Sequence, residues 1–340
     1  MKKRSLYICA ASVFALANVA TAGNIDIALE ADPSPEASAT TIIVVATNRG
    51  EVEERISRWD LPIEFDGSLA APLLEVTHEG QPVDYIGKLV KRAPTDESDV
   101  ISLAPGQAMA MKVDVARAYD LKQGGRFELR YKAQDAQTVR KQGFASNALT
   151  IDVAPGVPAF AAAVFNRVAA GDTQFRGCSA DQARAIQGAR QAAGQMINGA
   201  YSAVSGAVAG SRYQYWFGNH DNQRYSSVKN NVSKIKLAVD NAGITIDCGC
   251  SDRGVYAYVY PNRPYDIYVC GAFWSAAETG TDSRGGTLVH ELSHFTVVAG
   301  TDDHAYGQTA ARRLAQNDPA LAIANADNYE YFGENTPNRD

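Results

Sequence analysis

Positive charge is scarce in this chain. Its 340 residues carry 32 Lys and Arg against 38 Asp and Glu, which gives a formal net charge of −6 at pH 7. No basic cluster is interleaved with aromatic residues, so nothing in the composition indicates a nucleic-acid partner. Apolar residues make up 46% and charged residues 21%, which is typical of a globular protein with a hydrophobic core. The length favours two domains, or one domain with a pro-segment.

Long apolar runs are also rare, and the one clear run lies at the N-terminus. It covers residues 6–19, follows three basic residues at 2–4 and precedes Ala-Thr-Ala at 20–22. A short apolar run with a basic start and a small-residue end is typical of a secretory signal peptide. We therefore predict a signal peptide at 1–22 and a secreted product, extracellular or periplasmic. No later segment is apolar enough to cross a bilayer, so no membrane partner is expected.

Cysteine is scarce as well. The chain has five cysteines, of which Cys9 lies in the signal peptide, and the others are Cys178, Cys248, Cys250 and Cys270. An even number in an exported protein predicts two disulfides. A direct bond between Cys248 and Cys250 would be strained, which favours each reaching elsewhere, and three pairings are possible. A Cys-x-Cys pair without a second close pair is poor spacing for a zinc site.

Residues 23–153 have the pattern of a β-sandwich pro-domain. They contain no cysteine, and runs rich in Val, Ile and Thr alternate with turn sequences such as Gly-Gly at 124–125. Short strands separated by turns are typical of a sandwich. The predicted strands are 40–47, 73–77, 108–113, 127–131 and 148–153.

The composition changes after residue 153. Residues 154–172 are rich in Pro, Gly and Ala and predict an exposed linker with a maturation site. Residues 173–340 predict a mostly helical domain with a small β-sheet, which places the chain in the α+β class. The predicted helices are 179–208 with a capping box at its start, 228–241, one that ends at Gly300, 306–316 and 319–331, and the predicted strands are 244–248, 255–260 and 267–270.

The strongest local motif is His-Glu-Leu-Ser-His at residues 290–294. Histidines at i and i+4 lie on one face of a helix, one turn apart, so His290 and His294 can reach one zinc ion. Glu291 can take a proton from a water activated by the metal, and that water attacks a carbonyl. The pattern predicts a hydrolytic zinc site, although a helix can also carry these residues by chance.

A catalytic zinc needs a third protein ligand and one open position. A histidine six residues after His294 would be the metzincin pattern, but Gly300 holds that place and Val297 replaces the expected glycine. From the residues alone two alternatives stay open. One is Glu330 on a downstream helix, and the other is the Asp-Asp-His cluster at 302–304, which a turn at Gly300 could bring back to the metal.

The motif and the residues after it resemble the aspzincin, or deuterolysin, family of metallopeptidases. The resemblance rests on 290–294 followed by Gly-Thr-Asp-Asp-His-Ala-Tyr-Gly at 300–307. It implies a zincin-like catalytic domain with one Zn²⁺, in which Glu291 is general base and later proton donor. It also implies that Tyr306 stabilises the developing oxyanion. The implied zinc ligands are His290, His294 and Asp303.

Several further segments resemble the peptidyl-Lys metalloendopeptidase branch of this family, and the resemblance covers essentially all of 173–340. The segments are 216–218, 258–263, 270–274, 280–283 and 325–332. The resemblance implies the disulfides Cys178–Cys248 and Cys250–Cys270 and a mature N-terminus near 173–177. Residues 24–172 resemble, less specifically, the β-rich pro-segments of such enzymes.

Two acidic residues near the C-terminus bear on specificity. Asp327 and Glu330 are three residues apart and share a helix face, where two carboxylates could attract a lysine ammonium. On the residues alone, a solvated acidic face is the commoner arrangement. The resemblance implies instead that the pair lines the pocket for the lysine on the C-terminal side of the cut.

Together these patterns predict a secreted zinc metalloendopeptidase that cuts lysine-containing proteins or peptides on the N-terminal side of lysine. One alternative is a deuterolysin-like enzyme of broader specificity. Another is a non-catalytic zinc-containing binding protein, in which His304 would close the metal site. The pro-domain is expected to act as an intramolecular inhibitor or chaperone. Since it has no cysteine, it cannot block zinc with a thiolate, and we expect it to obstruct the cleft until the linker is cut.

Overall fold

The computed structural model describes residues 24–63, 67–93, 97–133, 144–156 and 168–340. The predicted signal peptide and residues 157–167 of the predicted linker lie outside the described residues. Among the helices that are described, none is both long enough and apolar enough to cross a membrane.

The chain folds as two compact units. The N-terminal unit takes in described residues 24–87 and 97–156, and the C-terminal unit takes in 88–93 and 168–340. The segment 88–93 therefore belongs to the C-terminal unit, although the residues before and after it in the sequence belong to the N-terminal unit.

The first half of the chain consists of strands and three short 3₁₀ turns. The strands are β1 (Ile25–Ala31), β2 (Thr41–Asn48), β3 (Glu54–Ser57), β4 (Leu74–His78), β5 (Gln81–Pro82), β6 (Leu89–Arg92), β7 (Val100–Leu103), β8 (Ala108–Asp114), β9 (Gly125–Ala133), β10 (Phe144–Ala145) and β11 (Leu149–Val153). The 3₁₀ turns are Arg58–Asp60, Glu97–Asp99 and Val115–Arg117.

Antiparallel pairing organises the N-terminal unit. β1, β2 and β8 form one sheet, β10, β9, β4 and β5 form a second with β11 also paired to β9, and β3 pairs with β7. Side chains alternate between buried and half-exposed along β1 and β2, as expected of strands with one face on a core. That core includes Ile27, Val44, Val113 and Phe127. The sandwich arrangement itself stays a prediction.

The C-terminal unit combines helices with one sheet, so the predicted α+β class is confirmed. Its further strands are β12 (Thr173–Arg176), β13 (Ile244–Asp247), β14 (Val255–Val259) and β15 (Asp266–Val269). Its helices are α1 (Ala180–Ala203), α2 (Ser211–Phe217), α3 (Asn222–Asn241), α4 (Gly271–Ser275), α5 (Arg284–His294), α6 (Gln308–Asn317), α7 (Pro319–Ala322) and α8 (Ala326–Glu334).

The sheet of this unit has the order β12-β13-β15-β14-β6. β12, β13 and β15 run parallel, whereas β14 is antiparallel to both of its neighbours, β15 and β6. The structure contains the disulfides Cys178–Cys248 and Cys250–Cys270, which is the pairing that the family resemblance implies. They tie the loop after β13 to the start of α1 and to the end of β15.

Helix α5 lies in the middle of the unit, against α1, α3 and α8. Every residue from Gly285 to His294 is buried, as expected of a helix enclosed on all sides. The helix ends at His294, six residues before the predicted end at Gly300, because Phe295 leaves the helical conformation with ψ near 130°. The reversal then occurs between Phe295 and Gly300, whose φ of +59° is one that glycine adopts easily.

The last predicted helix, 319–331, is two helices in the structure. α7 and α8 are separated at 323–325, where Asn325 has extended backbone dihedral angles. The Asn325 side chain accepts hydrogen bonds from the backbone N–H groups of His304 and Ala305, at 2.8 and 3.0 Å. The apolar pattern of the segment could not reveal this contact, because it is made to a loop 20 residues away.

Candidate active site

Two histidines on α5 and one aspartate from the loop after it lie close together. The Oδ1 atom of Asp303 lies 3.2 Å from the Nε2 atom of His290 and 3.5 Å from that of His294. Tetrahedral zinc with bonds of about 2.0–2.1 Å holds its ligand atoms about 3.3 Å apart. Each of the three residues offers one ligand atom within 4.8 Å of the other two. The spacing therefore fits a zinc ion among them.

The bonding of these atoms supports the same conclusion. In the described part of the chain, His290 Nε2, His294 Nε2 and both Asp303 carboxylate oxygens are buried without a hydrogen-bond partner. Buried polar atoms are nearly always paired, so a cluster of unpaired ones calls for a ligand. Two imidazole nitrogens and a carboxylate are ordinary zinc donors, and they leave one coordination position open for a substrate or water.

The second ring nitrogen of each histidine lies close to an oxygen, within hydrogen-bond geometry for His294 and outside it for His290. His294 Nδ1 lies 2.8 Å from the carbonyl oxygen of Thr301, and His290 Nδ1 lies 2.9 Å from Asp327 Oδ1. A proton held at Nδ1 by an acceptor leaves the Nε2 lone pair free for a metal and sets the angle of the ring. Glu330 Oε2 also lies 3.2 Å from His290 Nδ1.

The loop that carries Asp303 is tied to two elements. Thr301 returns the chain to α5, since its N–H donates to the carbonyl of Ser293 at 3.2 Å and the two side-chain hydroxyls are 2.6 Å apart. Asp302 pairs with the 324–326 segment through two backbone hydrogen bonds. The buried Asn325 amide completes the frame around 302–305, so Asp303 is held by backbone contacts on both sides.

The two alternative ligands occupy other positions. Glu330 lies against Nδ1 of His290, on the side of the ring away from Asp303. Two groups of described residues could hold a metal: His290, His294 and Asp303 form one, and His290, Asp327 and Glu330 form the other. Only the first contains both histidines, and His304 is in neither. The geometry favours Asp303 as the third ligand.

Glu291 is fully buried, and neither of its carboxylate oxygens has a hydrogen-bond partner among the described residues. Burial raises the pKa of Glu291 to about 8. A carboxylate with a pKa near neutrality is suited to taking up and releasing a proton during catalysis.

Tyr306 lies three residues beyond Asp303, and the guanidinium carbon of Arg92 is 4.2 Å from the centre of its ring. Burial raises the pKa of Tyr306 well above its usual value, so the phenol keeps its proton and can donate a hydrogen bond.

A buried acidic pocket adjoins the two histidines. Asp282, Asp327 and Glu330 surround the ammonium group of Lys91, with oxygens 3.2, 3.6 and 2.7 Å from Nζ. The Lys91 side chain is only 1% exposed. Burial opposes its charge, but the three carboxylates outweigh burial and raise the pKa of Lys91 well above its usual value. The pocket therefore holds a lysine ammonium in its charged form.

Sequence reasoning proposed Asp327 and Glu330 for a lysine pocket, and the structure brings them together, but it did not assign Asp282 to the pocket. Asp282 immediately precedes Ser283, the N-cap residue of α5. Short polar residues at the start of a helix are expected from capping alone, so Asp282 gave no separate signal. Its position is fixed by Tyr331, whose hydroxyl donates to Asp282 Oδ1 at 2.7 Å. Lys91 was also missed, since β6 was not predicted and no local pattern separates this lysine from the others.

Comparison with known proteins gives a consistent result. A family described as lysine-specific metallo-endopeptidase matches residues 202–334. An extracellular protease of Aeromonas hydrophila is 44% identical over 306 residues, 86% of each chain. A peptidyl-Lys metalloendopeptidase of Grifola frondosa is 34% identical over 312 residues, 87% of this chain and 88% of the relative. A solved zinc peptidase from the same organism is 44% identical and covers 48% of this chain and 100% of its own, with a TM-score of 0.46.

Proposed function

Since the chain belongs to the aspzincin family of zinc metalloendopeptidases, we propose that it hydrolyses peptide bonds on the N-terminal side of lysine. The observation that carries this proposal is the acidic pocket beside the histidine pair. It holds a lysine ammonium 2.7 Å from Glu330, and Glu330 itself lies 3.2 Å from His290. A lysine in this pocket therefore lies next to the groups that would carry out the cleavage.

In this proposal His290, His294 and Asp303 hold one Zn²⁺. The metal would supply Lewis acidity that polarises a peptide carbonyl and makes a nearby water easier to deprotonate. The protein fixes the donors through Thr301 and Asp327 on the far sides of the two imidazole rings. That arrangement reduces the reorganisation needed to bind the metal.

Glu291 is the proposed general base. Its buried carboxylate takes a proton from the attacking water and passes it to the nitrogen that leaves, which becomes the new amino terminus of lysine. Tyr306 is proposed to donate its hydroxyl hydrogen to the carbonyl oxygen as negative charge develops there. A donor aimed at that oxygen stabilises the transition state more than the ground state, and so it raises the rate.

The pocket supplies the proposed specificity. Asp282, Asp327 and Glu330 compensate the cost of burying an ammonium, whereas a neutral side chain would leave the negative charge of three carboxylates without a cation. A site built for a charged hydrogen-bonding group rejects analogues that lack it far more strongly than an apolar pocket does. Arginine has a planar, wider head group, so it is not equivalent to lysine here.

Digestion of one unfolded protein by the trimmed, zinc-loaded enzyme tests the proposal, with new N-termini mapped by mass spectrometry. Lysine at every new N-terminus is the expected result. The matched control is the same protein with its lysines acetylated, which removes the charge and should abolish cleavage. Mixed N-termini, or equal cleavage of the acetylated protein, would favour the broader deuterolysin-like activity. No cleavage at all would reject the proposal.

The proposal also includes export and maturation. Residues 1–22 act as a signal peptide, 23–153 as a pro-domain and 154–172 as the linker that is cut, which leaves 173–340 as the extracellular enzyme. Two disulfides suit an oxidising environment. A cut before Thr173 leaves β12 intact, and β12 pairs with β13 from Thr173 onward. Sequencing the N-terminus of the secreted protein tests this assignment, and a start beyond Gly177 would contradict it.

A further inference from the structure

The segment that contains Lys91 is attached to the C-terminal sheet as an edge strand. In β6, Leu89 pairs with Val259, Val90 with Tyr258 and Lys91 with Ala257, all antiparallel. Just beyond the strand, the N–H of Ala93 donates to the carbonyl of Gly254 at 2.9 Å. An extended segment that adds a strand to a sheet edge is a common mode of peptide recognition. The β6 residues occupy the edge of β14 in this way.

A bulge in β14 lies beside Lys91. The register shifts between Val255 and Ala257, so Tyr256 is the additional residue. Bulges of this kind redirect side chains locally. The Lys91 ammonium lies 5.1 Å from the Tyr256 ring centre and 5.8 Å from that of Tyr331, and it reaches the three carboxylates between them. Aromatic walls and an acidic base thus enclose the lysine.

The next residue covers a second functional group. The Arg92 guanidinium lies 4.2 Å from the ring centre of Tyr306, the proposed oxyanion donor. Two consecutive residues of β6 therefore contact proposed functional groups. Lys91 lies in the acidic pocket, and Arg92 lies against the ring of Tyr306. A strand that packed on the sheet edge only for stability would have no reason to place charged groups at both points.

We infer that residues 88–93 are a built-in substrate mimic, which keeps the enzyme inactive by placing Lys91 in the pocket that receives the lysine of a substrate. This inference rests on the proposed function, because it takes the acidic pocket as the lysine-binding site. The sequence predicts only that the pro-domain obstructs the cleft, whereas this inference assigns the obstruction to one strand, β6, and one side chain, Lys91. A substrate must displace both before its own lysine can enter.

The energetics favour a closed state that depends on Lys91. The pocket carboxylates of Asp327 and Glu330 are at most 1% exposed, so removal of the ammonium leaves buried negative charges without the lysine cation that balances them. Replacement of Lys91 by a neutral residue should therefore release the strand or weaken its attachment. Lys88 provides a matched control in the same segment, since its Nζ lies 5.2 Å from the Tyr258 ring centre.

The test uses the full-length zinc-loaded protein in a Glu291→Gln background, which prevents self-processing. A short fluorescent peptide with a single lysine is titrated, and binding is followed by fluorescence anisotropy. Lys91→Met should bind the peptide at least about tenfold more tightly than its parent. Lys88→Met should bind it like the parent. A version of the peptide with norleucine in place of lysine should gain no affinity in either variant.

Two outcomes separate this inference from the proposed function. If Lys91→Met binds no more tightly than its parent, while the trimmed Glu291→Gln enzyme binds the lysine peptide, the mimic is wrong and the lysine pocket stands. If the trimmed enzyme does not prefer lysine over norleucine, the proposed function itself fails. Zinc content and circular dichroism show whether each variant is folded.

A second measurement covers the case in which Lys91→Met does not fold. A synthetic peptide with the sequence of residues 86–93 should displace the fluorescent peptide from the trimmed Glu291→Gln enzyme. Norleucine in place of Lys91 should raise the concentration needed by at least about tenfold, whereas norleucine in place of Lys88 should leave it unchanged. Equal potency of the three peptides would overturn the inference.

Discussion

Asp327 connects the proposed metal ligands to the proposed specificity pocket. Its Oδ2 accepts a hydrogen bond from the N–H of Gly307 at 2.6 Å, and its Oδ1 lies 2.9 Å from His290 Nδ1 and 3.6 Å from Lys91 Nζ. Asp282 contacts the same ammonium but no histidine, as judged from the ion pairs among the described residues. The two aspartates should therefore respond differently to the loss of charge.

Asp327→Asn is expected to weaken zinc binding by about 10–100-fold, since it changes the partner that orients a ligand. Asp282→Asn should keep zinc and raise KM for a lysine substrate by about tenfold, because one of three charges facing the ammonium is lost. Zinc competition with a chromophoric chelator and steady-state kinetics measure the two effects. Equal loss of zinc in both variants would contradict this division of roles.

The roles of Glu291 and Asp303 are separable by the same pair of measurements. Glu291→Gln should bind zinc as the parent does and lose about 10²–10⁴-fold in kcat, because a general base contributes about that much. Asp303→Ala should lose most of its zinc as well as its activity. An Asp303→Ala protein that retained full zinc content would point to Glu330 or His304 as the third ligand.

At the scale of elements, close packing of α5 depends on two glycines. A Cβ at Gly285 would lie 2.9 Å from Ala192 Cβ in α1, and one at Gly286 would overlap the Glu334 carboxylate of α8 and lie 3.0 Å from Glu330 Oε1. α5 thus approaches both helices at positions without side chains. The acidic groups of α8 reach the region of the histidine pair because of this short distance.

Gly286→Ala is expected to destabilise the protein by about 1–3 kcal/mol, since the added methyl group must displace buried carboxylates. The control is Gly194→Ala in α1, where a Cβ would meet no heavy atom within 4 Å. That change should stabilise by about 0.5–1 kcal/mol, as is usual for glycine in a helix. Chemical denaturation of both variants measures the difference, and a stabilised Gly286→Ala protein would show that the helices can separate without cost.

Local sequence patterns predicted many helices and strands of the C-terminal unit, and they indicated the candidate site residues that lie close together in the sequence. The capping box of α1, the histidine pair and the reversal at Gly300 depend on residues close in sequence, and so they could be recognised. The break at Asn325 and the contact of Lys91 with Asp282, 191 residues away, depend on tertiary structure. No periodicity along the chain carries such information, and the family resemblance did not extend to residues 88–93 specifically.

At the scale of the whole molecule, the two units have separate hydrophobic cores. The proposed zinc donors all lie in the C-terminal unit. A ligand stabilises only the folded state that binds it, by about 2.7 kcal/mol when its free concentration is 100 times Kd. Metal removal should therefore affect the units unequally.

Calorimetry of the full-length protein is expected to show two unfolding transitions, of which only one shifts to lower temperature on treatment with a chelator. Added zinc should restore that transition together with peptidase activity after trimming. The Asp303→Ala protein serves as the control, since its transitions should be insensitive to the chelator. Equal shifts of both transitions, or none, would contradict the assignment of the metal to the C-terminal unit.

The position of β6 in the sequence has a consequence for activation. Residues 88–93 are continuous with the N-terminal unit on both sides, so the proposed cut in the 154–172 linker would leave the strand attached to the N-terminal fragment. The cut turns an intramolecular contact into an equilibrium between two molecules, and the high effective concentration of Lys91 is lost. Activity per molecule of cut protein should then rise on dilution, and under the proposed export the volume into which the enzyme is released would be part of its control.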